Sequence, residues 1–331
     1  MRPFSIGDAA FNISMTCNLT CEGCESFNNY NFKGQVKFAD YANYYKEWSK
    51  KLNIETVTIH GGEPFTNPDI LNWVTNLKRL WPTADEYYVA TNGTILRNKI
   101  TVARQIIDQG YFINVTVHDP AMYEDIRNQL EEVLEPYDYL IRKMDLGYEY
   151  YDKHTEQIYG LIEYNYHFKK SAIDYIKDKT WYMHRSDPVQ AYKTCLEDLS
   201  PCNFFHKGML YQCQLTALRD DLFLQFSIEP DAVDLLKKYN HGDPFYPMDK
   251  LRKFFRTHNS PIPQCTLCPG CPDTHPIFPM AKKKTSFYIL FSLRRNSISA
   301  VQWSDLEEWG EPILLELLDN RNNFYRTFLF L

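Results

Sequence analysis

Three cysteines stand close together near the start of the chain, at Cys17, Cys21 and Cys24. The Cys-x₃-Cys-x₂-Cys spacing places three soft thiolates on the loop that follows the first predicted strand. Three such thiolates can hold three irons of a 4Fe–4S cube and leave the fourth iron open for chemistry. Two alternatives stay open on spacing alone: a zinc site completed by distant thiols, or buried thiols with no ligand.

A second motif, Gly61-Gly62-Glu63-Pro64, follows the next predicted strand. Two glycines let the backbone approach a ligand closely, and the carboxylate can accept hydrogen bonds from an ammonium group. By itself the tetrapeptide is typical of a turn, with Glu63 capping local backbone amides. Both loops, however, follow the carboxyl ends of neighbouring parallel strands, where barrel active sites are built. The two motifs together therefore favour one shared site.

Alternating strands and helices are predicted to position these loops. Strands are expected at 10–15, 56–59, 87–90, 112–117, 139–144 and 158–164. Helices are expected at 41–52, from an N-cap at Asn67, at 99–109 before Gly110, at 122–134 and at 172–179. This alternation with short connections predicts an α/β fold with a parallel sheet. Six such units over 8–185 would form a partial (β/α)₆ TIM-like barrel.

The alternation stops after residue 185, and the remaining cysteines begin there. Residues 190–275 contain a predicted hairpin with Gly208 at its turn and a tight Cys-x₂-Cys-x₂-Cys knuckle, which indicates a small metal-held domain. Paired knuckles often make closed zinc sites. Residues 276–331 are expected to add a strand at 286–293, a helix from Ser304 and a terminal strand at 327–331. The six cysteines of this part are Cys195, Cys202, Cys213, Cys265, Cys268 and Cys271.

The two motif loops resemble the signature of the radical S-adenosylmethionine superfamily. The resemblance implies that Cys17, Cys21 and Cys24 hold a 4Fe–4S cluster whose open iron binds S-adenosylmethionine. Reductive cleavage would then yield a 5′-deoxyadenosyl radical that abstracts hydrogen from a substrate. It also implies that Gly61, Gly62, Glu63 and Pro64 line the methionine end of the cofactor, with Glu63 near its ammonium group.

Further cofactor contacts are implied by weaker matches. Thr91-Asn92-Gly93 ends the third strand, where many relatives carry the same tripeptide, and Thr116 is expected to face the ribose. His118 is either a substrate contact or a surface histidine. Relatives usually have an aromatic residue just before the third cysteine, but Gly23 occupies that position here, so Phe27 is the candidate for the adenine contact.

The later cysteines resemble the auxiliary-cluster extensions of this superfamily, called SPASM and, in shortened form, twitch. Gly208-x₄-Cys213 and the later Cys265-x₂-Cys268 fit that pattern, which implies an auxiliary 4Fe–4S cluster. The ligand set implied by the resemblance is Cys202, Cys213, Cys265 and Cys268. Cys195 rivals Cys202, and Cys271 is a further candidate.

The expected function is oxidation, cross-linking or maturation of a small molecule or peptide, with flavodoxin or ferredoxin as electron donor. A net charge of −6 gives no attraction to nucleic acid or anionic membranes, and the absence of a targeting segment leads us to expect a cytoplasmic protein. In such a reducing compartment the cysteines are expected to act as ligands rather than disulfides. The alternatives are a non-catalytic zinc or iron–sulfur protein and an RNA-modifying radical enzyme.

Overall fold

The computed structural model describes residues 4–21, 24–164, 172–198, 203–258, 260–270, 280–281, 312–318 and 324–330. Contacts divide the chain into two compact units, Met1–Lys282 and Lys283–Leu331. The first unit includes both the predicted barrel segment, 8–185, and the predicted cysteine-rich segment, 190–275.

A nine-stranded sheet organises the first unit, in the order β12-β11-β1-β3-β4-β5-β8-β7-β6. The six strands from β11 to β8 run parallel, and antiparallel strands flank them on both sides. The strands of this unit are β1 Phe4–Ser14, β2 Leu19–Thr20, β3 Leu52–Gly61, β4 Glu86–Thr91, β5 Phe112–Val117, β6 Tyr139–Met144, β7 Gly147–Asp152, β8 Ile158–Tyr164, β9 Ile173–Lys177, β10 Thr180–Met183, β11 Phe204–His206, β12 Met209–Tyr211, β13 Ser227–Ile228 and β14 Met280–Ala281.

Helices cover one face of the parallel strands and bury a core rich in aromatic rings. The Phe11 ring of β1 stacks on Phe205 of β11 with 4.7 Å between ring centroids. Tyr45, Trp48 and Trp81 pack around this pair and are fully buried. The helices are α1 Phe38–Lys51, α2 Ile70–Leu80, α3 Ile100–Asp108, α4 Tyr123–Leu134, α5 Pro188–Asp198, α6 Gln214–Gln225, α7 Pro230–Lys237 and α8 Met248–Thr257.

The α/β class and the strand–helix alternation from β1 to β5 are confirmed, but the sixth parallel strand was assigned to the wrong segment. The segment 139–144 is a strand, yet it forms an antiparallel edge hairpin with β7 instead of a parallel unit. The sixth parallel strand is β11, from the segment predicted to belong to a separate domain, and it pairs with β1. Apolar stacking of Phe205 on Phe11 favours this long-range pairing. The local spacing of apolar residues in the sequence cannot predict it, because the two strands are far apart in the chain.

Two local predictions are wrong. The segment 172–179 was predicted as a helix but forms β9, because Asp178 and Lys179 adopt positive φ angles of 50° and 65° and turn the chain into an antiparallel pairing with β10. The N-cap of α2 is Asp69 and not Asn67. The Oδ1 of Asn67 still accepts a hydrogen bond from the Asp69 amide at 2.8 Å. Its Nδ2 donates to the carbonyls of Ile13 and Val36, at 2.6 and 3.0 Å, which ties the loop to the first strand.

The second unit contains one described hairpin, with β15 Pro312–Leu318 antiparallel to β16 Phe324–Phe330. The terminal strand predicted at 327–331 overlaps β16. The strand expected at 286–293 and the helix expected from Ser304 lie outside the described residues. Among the helices that are described, none combines the length and apolar character needed to cross a membrane.

Candidate functional site

The cysteine loop leaves the carboxyl end of β1 and is held by a buried asparagine. The Nδ2 of Asn28 donates to the Met15 carbonyl at 2.6 Å, and its Oδ1 lies 3.7 Å from the Cys24 sulfur. Cys21 is buried, whereas Cys17 and Cys24 are half-buried. Asn28 therefore positions the loop, a role that the sequence analysis missed. A polar side chain four residues after the third cysteine was its only signal.

The two glycines of the second loop allow it to pack closely against the cysteine loop. The Gly62 amide donates to the Ser14 carbonyl at 2.6 Å, and the Glu63 amide donates to the Thr16 carbonyl at 2.9 Å. A Cβ atom on Gly61 would lie 2.3 Å from the Ser14 oxygen, and one on Gly62 would lie 2.5 Å from the Thr16 oxygen. Neither distance is possible for a real side chain, so contact between the two loops requires both glycines.

Glu63 connects the ends of β3 and β4. Its fully buried carboxylate accepts hydrogen bonds from the amides of Phe65 and Asn92, both at 3.0 Å, and from the Thr91 hydroxyl at 2.9 Å. Burial raises the pKa of this carboxyl to about 7, although the same hydrogen bonds oppose the shift. The carboxylate thus caps local backbone amides, as the alternative interpretation of the motif held. Its predicted contact with an ammonium group stays a prediction.

Asn92 brings the loop after β4 to the cysteine loop. Its Nδ2 lies 3.7 Å from the Cys17 sulfur and donates to the Asn18 Oδ1 at 3.0 Å. The Asn18 Nδ2 in turn donates to the Thr94 hydroxyl at 2.6 Å. The loops after β1, β3 and β4 therefore meet at one edge of the sheet. Asn18 and Thr94 were missed by the sequence analysis, although each adjoins a motif residue.

The electrostatics of the three thiols fit a metal cluster. Burial, followed by the charge of Glu63, raises the pKa of Cys17 to about 12. Burial, followed by the neighbouring Cys24 and Cys17, also raises the pKa of Cys21. Such thiols become thiolates when metal ions supply compensating positive charge. As placed, no three His, Cys, Asp or Glu side chains of the described residues have a geometry that could hold a metal ion. The agreement of this site with a metal cluster therefore depends on the chemistry of the three cysteine sulfur atoms and not on their present geometry.

A second group of cysteines lies between the start of α6 and the predicted knuckle. Burial raises the pKa of Cys268 well above its usual value, and the neighbouring Cys213, Cys265 and Cys195 raise it further. Thr266 and Ser186 exchange two hydrogen bonds, which hold the knuckle against the segment before α5. Four of the six later thiols therefore lie in one region, although as placed no three of the described ones could hold a metal ion. Cys202 and Cys271 lie outside the described residues.

The remaining predicted contacts lie near the same edge of the sheet. Thr116 is half-buried on β5 and pairs with Glu163 of β8. Burial lowers the pKa of His118 to about 4, and this side chain lines a small pocket with Asn92 and Thr94. Phe27, the candidate for the adenine contact, is buried with its ring facing Trp181 at 6.1 Å between centroids.

Comparison with known families assigns the region that carries both motifs. Residues 9–136 match the family described as a 4Fe–4S single cluster domain. That match spans the three clustered cysteines, the Gly-Gly-Glu-Pro loop and the loop after β4. This part of the chain is therefore similar to that iron–sulfur domain family. The description of that family names a single 4Fe–4S cluster, which is the group expected at Cys17, Cys21 and Cys24.

Two curated relatives each match a little under half of this chain. The GTP 3′,8-cyclase of Aquifex aeolicus is 25% identical over 153 residues, which cover 45% of this chain and 46% of the relative. The probable GTP 3′,8-cyclase of Sulfolobus acidocaldarius is 25% identical over 166 residues, which cover 47% of this chain and 51% of the relative. The chain thus spans about half the length of the curated relatives it matches.

Solved structures show weaker likeness. The structure of BtrN in complex with AdoMet and 2-DOIA has a TM-score of 0.41 and 14% identity, and the match covers 81% of this chain and 97% of that one. Streptococcus suis SuiB has a TM-score of 0.26 and 18% identity, with 39% of this chain and 37% of SuiB covered.

Proposed function

We propose that this protein reductively cleaves S-adenosylmethionine and uses the resulting 5′-deoxyadenosyl radical to abstract hydrogen from a small molecule or peptide. The observation that carries the proposal is the convergence of three strand-end loops. Glu63 bonds the loop after β4, and Asn92 of that loop contacts both Cys17 and Asn18. Active sites of parallel α/β folds are built at this edge of the sheet.

Each loop has a distinct role in this proposal. Cys17, Cys21 and Cys24 hold the cluster that supplies the electron for cleavage. The backbone of Gly61, Gly62 and Pro64 shapes the methionine end of the cofactor site, together with Glu63. Thr91, Asn92 and Thr116 line its nucleoside side. Glu63 and Asn92 keep the three loops in one arrangement, which orients the cofactor with respect to the cluster.

The second cysteine group holds an auxiliary 4Fe–4S cluster in our proposal. Four neighbouring thiols, Cys195, Cys213, Cys265 and Cys268, satisfy the ligand count of one cube. Such a cluster can accept the second electron of a two-electron substrate oxidation.

We also propose that the parallel strands belong to a partial barrel and that residues 190–275 act as a twitch-like extension. Flavodoxin or ferredoxin is the proposed electron donor.

The test is cofactor cleavage by the full chain. Anaerobically reconstituted protein, reduced with dithionite, should form methionine and 5′-deoxyadenosine, and a Cys17/Cys21/Cys24→Ala triple variant should form neither. Cleavage by the triple variant would refute the ligand assignment. If the wild-type protein binds stoichiometric zinc, shows no visible chromophore and cleaves no cofactor, the structural-zinc alternative is correct.

A further inference from the structure

A row of polar side chains lies on the face of the sheet opposite the helix-covered core. Asn12 pairs with His60 across β1 and β3, and Ala90 pairs with Asn114 across β4 and β5. His60 follows Ile59, which pairs with Val89, so His60 lies beside Ala90 in the register. Because paired residues of neighbouring strands point to the same face, the row reads Asn12, His60, Ala90, Asn114.

The facing direction is fixed by the neighbours of these residues. Ile59, Val89 and Val115 alternate with the row along their strands and are completely buried in the helix-covered core. His60 faces Phe204 of β11, with 5.8 Å between ring centroids, and Phe204 belongs to a separate cluster with Tyr211 and Tyr239. The row therefore points away from the main core.

Polar atoms of this row are buried yet have no hydrogen-bond partner among the described residues. They are the Nδ2 and Oδ1 of Asn12, the Nε2 of His60 and the Oδ1 of Asn114. Asn12 is only 1% exposed. Buried polar atoms are normally paired, since an unpaired one is costly to the folded state. Several such atoms on one face indicate a surface completed by a ligand.

The row adjoins both cysteine groups. Gln214, next to Cys213, donates to Ser26, and Ser26 donates to the Gly61 carbonyl at 3.3 Å. The Gln214 side chain also lies near His60, whose pKa it acts to raise. The Asn12 Oδ1 lies 3.1 Å from the position that a Cβ of Gly61 would occupy. The row thus begins beside the Gly-Gly-Glu-Pro loop, with the start of α6 next to it.

We infer that Asn12, His60 and Asn114 bind the substrate through an uncharged group that both donates and accepts hydrogen bonds, a hydroxyl or an amide. This inference rests on the proposed function and names its substrate chemistry. Asn12 offers one donor and one acceptor, and Asn114 offers an acceptor. Burial keeps the His60 ring neutral by lowering its pKa. Neighbouring strands are about 4.8 Å apart, so from β1 to β5 the row extends about 14 Å. The side chain of Ala90 leaves room in the middle.

Four probes test the charge and type of the bound group: N-methylacetamide, glycerol, acetate and methylammonium. Ligand-observed NMR on the full-length wild-type protein should show contact with one or both neutral probes and none with the charged ones. Asn12→Leu and Asn114→Leu should each weaken that contact about tenfold. Preference for N-methylacetamide identifies a peptide amide, and preference for glycerol identifies a hydroxyl compound. The inference is overturned if a charged probe binds or if no probe binds. It is also overturned if the variants bind the neutral probes as tightly as the wild type does.

Thermal unfolding separates a ligand-binding asparagine from a structural one. Asn67→Leu is the matched control, because Asn67 is 2% exposed but fully hydrogen-bonded. Its Tm should fall, whereas the Tm of Asn12→Leu should stay level or rise by a few degrees. An equal fall in both variants would overturn the inference. Wild-type protein that cleaves S-adenosylmethionine but contacts no neutral probe would leave the proposed function standing. Probe binding without cleavage would refute the proposed function alone.

Discussion

At the scale of single residues, Glu63 has two tasks that an experiment can separate. Its carboxylate bonds the Phe65 and Asn92 amides and the Thr91 hydroxyl, which accounts for its complete burial. These contacts use both oxygens, but a carboxylate has about four acceptor positions. An ammonium group of the cofactor can therefore be bound by the carboxylate that also holds the loops.

We expect Glu63→Gln to weaken S-adenosylmethionine binding tenfold to a hundredfold. A charge-assisted hydrogen bond contributes about 1.5–3 kcal/mol, and the amide replaces it with a neutral contact. Isothermal titration of the reconstituted protein measures the change. Glu55→Gln, an exposed carboxylate near the start of the same strand, is the control and should bind normally. Unchanged affinity in folded Glu63→Gln would show that Glu63 only caps the backbone.

At the scale of elements, the β11–β12 hairpin depends on its two-residue turn. Lys207 and Gly208 have φ angles of 47° and 80°, in the left-handed region that glycine adopts without strain. A Cβ on Gly208 would lie 2.7 Å from Tyr44. The Gly208 carbonyl also accepts a hydrogen bond from the Trp48 indole at 3.0 Å. This turn thus joins the sixth parallel strand to α1.

Gly208→Ala should lower the free energy of unfolding by about 1–3 kcal/mol, because the new side chain is strained and meets Tyr44. Denaturant unfolding followed by circular dichroism gives the value. Gly7→Ala is the control and should leave stability unchanged or slightly higher, because a Cβ on Gly7 would lie 3.7 Å from the Glu55 carboxylate, an ordinary contact distance. Equal stability of the wild type and Gly208→Ala would mean that the turn does not determine the hairpin.

The same strand is tied to α6 by a buried ion pair. The Nε2 of His206 lies 2.8 Å from the Asp221 carboxylate, which also accepts from Lys207. Burial acts to raise the pKa of Asp221, but the bonds to His206 and Lys207 outweigh it, so the net shift is downward. A lowered folded-state pKa contributes stability above the unfolded pKa of about 3.9, and this contribution is lost as pH falls through the folded value.

Asp221→Asn should therefore lower stability by about 1–3 kcal/mol at neutral pH. The difference from wild type should shrink as the pH falls from about 4 through the lowered folded-state pKa of Asp221, because the folded wild-type carboxylate is protonated only over that lower range. Thermal unfolding at a series of pH values measures both effects. Asp220→Asn, the exposed neighbour on the same helix, should differ little from wild type at any pH. A pH-independent difference for Asp221→Asn would exclude the ion pair as its cause.

At the scale of the whole molecule, two separate cysteine groups predict two iron–sulfur clusters. The Cys17/Cys21/Cys24→Ala variant should retain about half of the wild-type iron, because each cube of this type contains four irons. A Cys213/Cys265/Cys268→Ala variant should retain the complementary half and still cleave S-adenosylmethionine. Iron and sulfide analysis after anaerobic reconstitution provides both numbers. Complete loss of iron in the first variant would show that the wild-type protein holds only the cluster bound by Cys17, Cys21 and Cys24.

Local chemistry was readable in the sequence because it depends on residue type and short spacing. The three clustered cysteines, the Gly-Gly-Glu-Pro loop and the strands from β1 to β5 needed only local periodicity and turn residues. The helix end at Gly110 was equally clear, since its φ of 79° suits glycine. The loops were expected at the same edge because parallel strands share a direction.

Long-range contacts were decided by the tertiary structure alone. Packing of Phe205 on Phe11 places β11 beside β1. At this contact the Ala10 amide donates to the carbonyl of Asn203, which lies far along the chain. The closeness of Cys195 and Cys213 to Cys268, and the polar row on the sheet, likewise depend on contacts between distant segments. Sequence patterns report which face of an element is apolar. They do not report which distant element covers it, because that choice depends on the packing of complete side chains.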